Sequence, residues 1–313
     1  MSVPCITLAV PCRTDEPALG RTLDAAWASW QAASQAETHV LEVIVCLNGP
    51  VADCRPLRDL RAFAAARGAP LAEVDADAAP ATPVTPPAVT ALCTRRVGKA
   101  IAWELLRQRA QGTTILFLDA DVAFSDETFG LLLDALAAHP GAILASARTT
   151  CEARPTAFER VMAVPYRVDF PNLSPQLYAA RPEGLPASMP EDLFDPEHWL
   201  ELMVGPERVV RAPAARVVVR LPATPGDFFR QRVRIEMGKV QCAAEYPGLA
   251  HRAAPQPGLR AALAALGPAD VVRLGTYLAL RETAHFVAWR RYRQGRTADV
   301  WRQAGTTKRW DAV

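Results

Sequence analysis

Two carboxylates, Asp119 and Asp121, close the apolar run Thr114-Ile-Leu-Phe-Leu-Asp119-Ala-Asp121. Carboxylates are hard oxygen ligands, and Mg2+ or Mn2+ is commonly bound by one or two of them together with substrate phosphates. Residues i and i+2 of an extended strand point the same way, so this pair could offer its oxygens to one side of a crevice. A plainer reading stands beside it: a solvated turn, with Asp121 or Ser125 capping a helix over 126–138. Further along come Glu191-Asp192, candidate proton acceptors, and Gln231-Arg-Val-Arg234, whose guanidinium forks suit phosphate oxygens. Asp192 also has a plain alternative, as the N-cap of a helix over 193–202.

The elements that must position these residues follow from apolar patterning. Continuous apolar runs at 5–10, 41–47 and 115–118 read as strands buried on both faces, as in a mostly parallel sheet, and such sheets place ligands at their carboxyl ends. Helical spacing at 18–36, with Thr14 or Asp15 as its cap, at 56–67, and from 95 to 109 gives strand and helix in alternation. A short strand is expected at 69–74. Residues 75–94 turn to Ala, Pro and Thr and read as a loop. After a strand at 142–147, prolines cut 148–190 into long loops of the kind that shape sites. Two short strands at 208–212 and 216–221 precede a capped helix from 225, and helices are expected at 258–266 and 268–294. The chain divides in this reading into 1–245, an α/β catalytic domain, and 246–313, a helical extension packed on it.

Half of the 313 residues are apolar and the formal charge is +2, with 35 Lys and Arg against 33 Asp and Glu interspersed. The chain can fill a large core, and no polybasic block points to nucleic acid. Seven scattered cysteines without C-x-x-C spacing read as thiols of a reducing compartment. The start lacks a signal-peptide pattern and no stretch of about 18 apolar residues occurs. These features lead to an expectation of a cytoplasmic protein, soluble or peripheral to a membrane.

In order along the chain, Val10-Pro11 with Asp15-Glu16, Gly98-Lys99-Ala100, Asp119-Ala-Asp121, Glu191-Asp192 and Gln231-Arg-Val-Arg234 resemble the family 2 glycosyltransferases of the GT-A fold. The resemblance covers roughly 4–240. It implies a mixed, mostly parallel sheet flanked by helices, and inverting transfer of a sugar from a nucleotide diphosphate donor to a hydroxyl acceptor. Mg2+ or Mn2+ would be held by Asp121, with Asp119 beside the metal and nearer the ribose. Pro11, Asp15, Glu16, Asp53 and Lys99 would contact the nucleotide. Asp192 would be the general base, with Glu191 and Asp195 as alternates. Gln231 and Arg234 would belong to the catalytic set, Arg234 on the diphosphate. The acceptor would be a small molecule, a glycan or a lipid-linked hydroxyl. Ile235 stands where relatives carry Trp, and the membrane spans of processive relatives are not in this sequence.

Two other readings remain compatible with these residues: a nucleotidyltransferase on a GT-A-like fold, and an inactive binding or scaffold protein. The first turn lacks the Gly-rich basic phosphate loop that a nucleotidyltransferase would show. In the last helix Val271, Val272, Leu274, Leu278, Phe286, Val287 and Trp289 form an apolar set ending in Arg290, Arg291 and Arg293. Packing on the domain is the simpler role for it, and an interfacial helix the sharper one. His285 is read as packed.

Overall fold

The computed structural model describes residues 4–50, 53–78, 88–152, 156–168, 172–252, 263–264 and 266–296. By internal contacts the chain forms two units, 1–148 with 174–192 and 207–217, and 149–173 with 193–206 and 218–313. The helix from residue 225, which the sequence reading placed in the catalytic domain, falls in the second.

The first unit is built on one sheet, β3-β4-β2-β1-β5-β8-β7-β9-β6. Its strands are β1 Cys5–Arg13, β2 Val40–Asn48, β3 Leu71–Asp75, β4 Val89–Thr94, β5 Thr114–Leu118, β6 Ala123–Phe124, β7 Leu144–Cys151, β8 Leu177–Ala180 and β9 Val209–Val219. The five strands from β3 to β5 pair in parallel, and β8 runs antiparallel to both β5 and β7. Leu8, Ala9, Val10, Ile44, Val45, Ile115 and Leu116 are sealed from solvent, as continuous apolar runs buried on both faces require. Burial pushes the Cys46 thiol of β2 up to about 12, which makes it an inert core group.

Helices α1 Leu19–Ala32, α2 Arg55–Ala66, α3 Lys99–Arg109 and α4 Thr128–Ala138 connect these strands. An aromatic stack pins α3 to the sheet centre. Trp103 lies 5.0 Å from Phe117, Phe117 lies 5.1 Å from Tyr178, and Trp103 Nε1 donates to the Tyr178 hydroxyl at 2.6 Å. All three rings are buried, so the bond satisfies polar atoms that would otherwise be orphaned.

Several expectations are corrected. The loop expected over 75–94 contains β4, whose six residues are nearly all buried, and residues 79–87 lie outside the described set. The expected loops over 148–190 contain β8 and the helix α5 Ala157–Ala163. The two strands expected after 208 are one, β9, carrying an exposed Pro213 where a ladder donor is absent. Pro11 does not stop β1, because the pairing with β2 runs on to Arg13 and Asn48. The N-cap of α1 is Ala18 rather than Thr14 or Asp15, and Glu16 accepts from the Ala18 N–H at 3.1 Å.

The second unit is helical. Besides α5 it contains α6 Pro196–Val204, α7 Pro225–Glu245 and α8 Pro268–Arg293. Thr156 and Thr224 cap α5 and α7, accepting from the Glu159 and Asp227 N–H groups at 3.2 Å each. A core of Phe194, Val233, Met237, Ala284 and Ala288 joins α7 to α8. Ala284 and Ala288 are fully buried on α8 with Val287, Tyr292, Tyr277 and Leu280 packed beside them, whereas Val271, Val272, Phe286 and Trp289 of the expected apolar face are exposed. The helix expected at 258–266 lies largely outside the described residues.

Candidate functional site

Asp119 and Asp121 sit at the carboxyl end of β5, the strand next to β1 in the parallel part of the sheet. The strand ends at Leu118 and Ala120 and Asp121 form a turn, so the i, i+2 alternation of an extended strand does not aim the two side chains. Other bonds fix the turn. The Asp119 N–H donates to the Gln176 carbonyl at 2.8 Å, and the Thr22 hydroxyl, fully buried on α1, donates to the Ala120 carbonyl at 2.9 Å.

Lys99, the first residue of α3, places its Nζ 2.7 Å from Asp119 Oδ1 and donates to the Pro175 carbonyl at 3.1 Å. The stack that locks α3 to β5 is therefore what holds this ion pair in register. Both side chains keep about a fifth of their surface in solvent, 19% and 23%. A partly exposed pair of this kind can exchange partners when a charged ligand arrives.

The ends of the neighbouring parallel strands carry the other expected residues. Pro11 is within β1, in register with Cys46. Asp15 receives two bonds from Arg13, at 2.9 and 3.0 Å. Glu16 is buried and committed in part to the start of α1. Asn48 ends β2 and donates from Nδ2 to the Gly98 carbonyl at 3.1 Å, tying β2 to the start of α3. Gly49 follows at φ 126°, and a Cβ there would fall 2.8 Å from Thr14 Oγ1, so the close approach of these two turns requires glycine. Asp53 stands apart from this group: its side chain is 78% exposed and pairs with Arg58 at 3.1 Å.

Asp192 lies in an exposed turn after a segment tied to α3. Glu104 accepts from the Met189 N–H at 3.2 Å, and Arg107 donates to the Ala187 carbonyl at 2.7 Å. Burial pushes the Glu104 carboxyl up, but Arg107, Gln108 and the Met189 N–H outweigh it and hold it below its usual range. Glu191 is ion-paired with Arg96. The cap that Asp192 could have been is supplied by Asp195, which accepts from the His198 N–H at 3.3 Å as N-cap of α6.

Gln231 and Arg234 lie on α7 in the second unit. Their neighbours on the helix have structural partners. Arg230 binds Asp227 at 2.5 Å, and Arg232 binds Glu236, a 5%-exposed side chain that also meets Lys239 and His285. His285 is thereby bound into the α7–α8 contact at 3.1 Å from Glu236.

As a donor set for a metal, Asp119 and Asp121 supply two hard carboxylates, and no group of three or more His, Cys, Asp or Glu converges among the described residues. That composition fits Mg2+ or Mn2+ completed by phosphate oxygens of a ligand, and is too sparse for an all-protein cage. Of these features, Thr22, Asn48, Arg96 and the Glu104–Arg107 tie were not singled out in the sequence. Each acts through a partner distant in the chain, and only the pairing of strands brings those partners close.

Residues 86–182 match the family model of Glycosyl transferase family 2. Among solved structures the fold is similar to a mannosyltransferase, PcManGT, from Pyrobaculum calidifontis in complex with GDP-Man and Mn2+. That likeness has 20% identity, 100% coverage of this chain and 89% of that one, and a TM-score of 0.56. Glucosyl-3-phosphoglycerate synthase from Mycobacterium tuberculosis, with Mn2+ and UDP, matches at 15% identity over 77% and 79% of the two chains with a TM-score of 0.46. TarS 1–349 from S. aureus, with UDP, matches at 11% over 93% and 91% with a TM-score of 0.44. No curated protein is matched by the sequence. The expected mixed, mostly parallel GT-A sheet flanked by helices is borne out, as is the resemblance to family 2 glycosyltransferases.

Proposed function

We propose that this GT-A chain, whose central stretch matches the family 2 glycosyltransferases, transfers a sugar from a nucleotide diphosphate donor to a hydroxyl acceptor with inversion at the anomeric carbon. The observation that carries the reading is the turn at the end of β5, where Asp119 and Asp121 follow a buried parallel strand and Lys99 stands 2.7 Å from Asp119. Open α/β sheets take their ligands at such carboxyl ends.

Asp121 and Asp119 would hold Mg2+ or Mn2+, which when bound neutralises charge on the departing diphosphate as a Lewis acid. Lys99 positions Asp119 and places a cation beside the nucleotide. Pro11, Asp15 and Glu16 bound the base and ribose at the end of β1, with Asp53 as the outermost candidate. Asp192, which does not cap a helix and is exposed, takes the proton of the acceptor hydroxyl as its oxygen attacks C1. Gln231 and Arg234 are assigned by their motif, the guanidinium fork of Arg234 suiting diphosphate oxygens. GDP-mannose, the ligand of the mannosyltransferase with the similar fold, is the first donor to try.

The test is release of nucleoside diphosphate from a panel of nucleotide sugars with Mn2+ and simple hydroxyl acceptors, comparing the wild type with Asp192→Asn. Release that depends on acceptor and falls about 1,000-fold in the variant supports the reading. Pyrophosphate release from a nucleoside triphosphate and a sugar phosphate would replace it with nucleotidyl transfer.

A further inference from the structure

Among the described residues five large apolar side chains are exposed, and four of them, Val271, Val272, Phe286 and Trp289, lie on α8. Val272 is 72% and Phe286 58% exposed. Val272, Ala279, Phe286 and Arg293 recur every seven residues and all are exposed, so they share one outward stripe of the helix. The opposite side is occupied: Ala284 and Ala288 are fully buried against Phe194, Val233 and Met237.

The stripe ends in a cationic aromatic group. Phe286 and Trp289 stack with centroids 6.1 Å apart, and the Arg293 guanidinium lies over the Trp289 ring at 5.0 Å. Arg290 and Arg293 are exposed on the same side, within about 40° of Phe286 around the helix, and Arg291 and Arg296 are exposed at the helix end. Among the described residues of α8 the exposed acid on this side, Glu282, is bound to Arg281.

We propose that this face of α8 docks the protein onto an anionic lipid surface, the helix lying in the plane of the interface. Charge complementarity selects the occupant. Arg290 and Arg293 beside two aromatic rings, with Arg291 and Arg296 at the same helix end, suit lipid phosphates over an acyl boundary, where Trp and Arg each keep a polar end wet and an apolar body buried. A protein groove reads a helix through large anchors at i, i+3 or i+4 and i+7. Here Phe286 and Trp289 sit together at one end of the face, and between Val272 and Phe286 it offers Gly275, Thr276, Ala279, Glu282 and Thr283, so large anchors are not spread along it. A fluid lipid surface demands no such anchors. From Val272 to Arg293 the stripe is about 30 Å long, enough to lie flat on a bilayer. No helix among the described residues is long and apolar enough to cross one.

The experiment uses the full chain and vesicles of phosphatidylcholine alone or with roughly a third phosphatidylglycerol. Binding is read by cosedimentation and by quenching of tryptophan fluorescence with brominated acyl chains. The proposal expects binding to the anionic vesicles only. The triple variant Arg290→Ala, Arg291→Ala, Arg293→Ala should weaken it about 100-fold. The double variant Phe286→Ser, Trp289→Ser should weaken it at least about tenfold and remove most of the quenching. Diphosphate release from a soluble donor should be unchanged in both variants, which separates this proposal from the transferase reading. Absence of vesicle binding would overturn it, as would binding indifferent to both variants. So would a dimer in sedimentation that the Phe286 and Trp289 changes dissociate, because the face would then be covered by a second copy.

Discussion

Asp119 and Glu236 are both carboxylates held by cations, yet they are built for different work. Asp119 ends a strand, meets Lys99, and leaves part of each side chain in solvent. Glu236 sits inside a helix with only 5% of its side chain exposed and meets Arg232, Lys239 and His285. A partly wet pair loses little when it re-forms around a ligand, whereas a dry one surrounded by cations cannot be opened cheaply. The contrast teaches that charge clustering alone does not mark a site. In the proposed reading, position at a strand end and residual solvent access do, and Arg232 of the Gln-Arg-Val-Arg motif, bound to Glu236, serves the fold.

The contrast breaks most visibly at Glu236. Glu236→Ala takes from Arg232, whose side chain is only 17% exposed, its carboxylate partner and should cost about 3 kcal/mol in urea unfolding. The same carboxyl gives the second unit an acid weakness. Burial pushes it up, but Arg232, Lys239 and His285 outweigh burial and lower it. A folded-state value below the unfolded one means stability that is present above the unfolded value near pH 4.5 and is lost as pH falls through the folded one. Glu236→Gln should therefore flatten the acid limb of the unfolding curve, and an unchanged limb would assign the acid sensitivity elsewhere.

Asp119→Asn should behave in the opposite way, losing about 100-fold in affinity for a nucleoside diphosphate with Mn2+, or about 2.7 kcal/mol. Its free energy of unfolding should change by less than about 1 kcal/mol, as expected for a partly exposed pair. Gly238→Ala probes the dry region by packing alone. A Cβ there would lie 2.3 Å from the Asp195 Cβ and 2.8 Å from its backbone nitrogen, so a loss of about 2 kcal/mol is expected by thermal unfolding. The smallest effect belongs to Thr22→Val, which keeps the shape of the side chain but strands the Ala120 carbonyl. About 1 kcal/mol of stability should go, with amide exchange becoming faster first in the 119–122 turn.

The legible parts of the fold were those written in continuous apolar runs. β1, β2 and β5 fall within a residue or a few of their expected limits, because strands buried on both faces leave no alternative pattern. β4 was hidden beside the proline-rich 80–87, whose composition coloured its whole neighbourhood, although Val89-Thr-Ala-Leu-Cys-Thr94 carries no proline. β8 was hidden by its length: four residues, Leu177–Ala180, become a strand only because β5 and β7 flank them. Within the site, the pair Asp119 and Asp121 was visible as residue types at a strand end. The groups that aim them were not. Thr22 and Gln176 reach that turn from α1 and from the approach to β8, and Lys99, visible as a nucleotide contact, reaches it from α3 to meet Asp119; a linear sequence carries no mark of such convergence.

The most direct test of the central claim is calorimetric titration of the protein with UDP, GDP and dTDP and their sugar conjugates, each with and without Mn2+, beside Asp121→Ala. The account predicts that one nucleoside diphosphate binds, that Mn2+ is required, and that Asp121→Ala abolishes the heat. Binding of no diphosphate, or metal-independent binding that survives Asp121→Ala, would contradict the assignment of the β5 turn as the donor site.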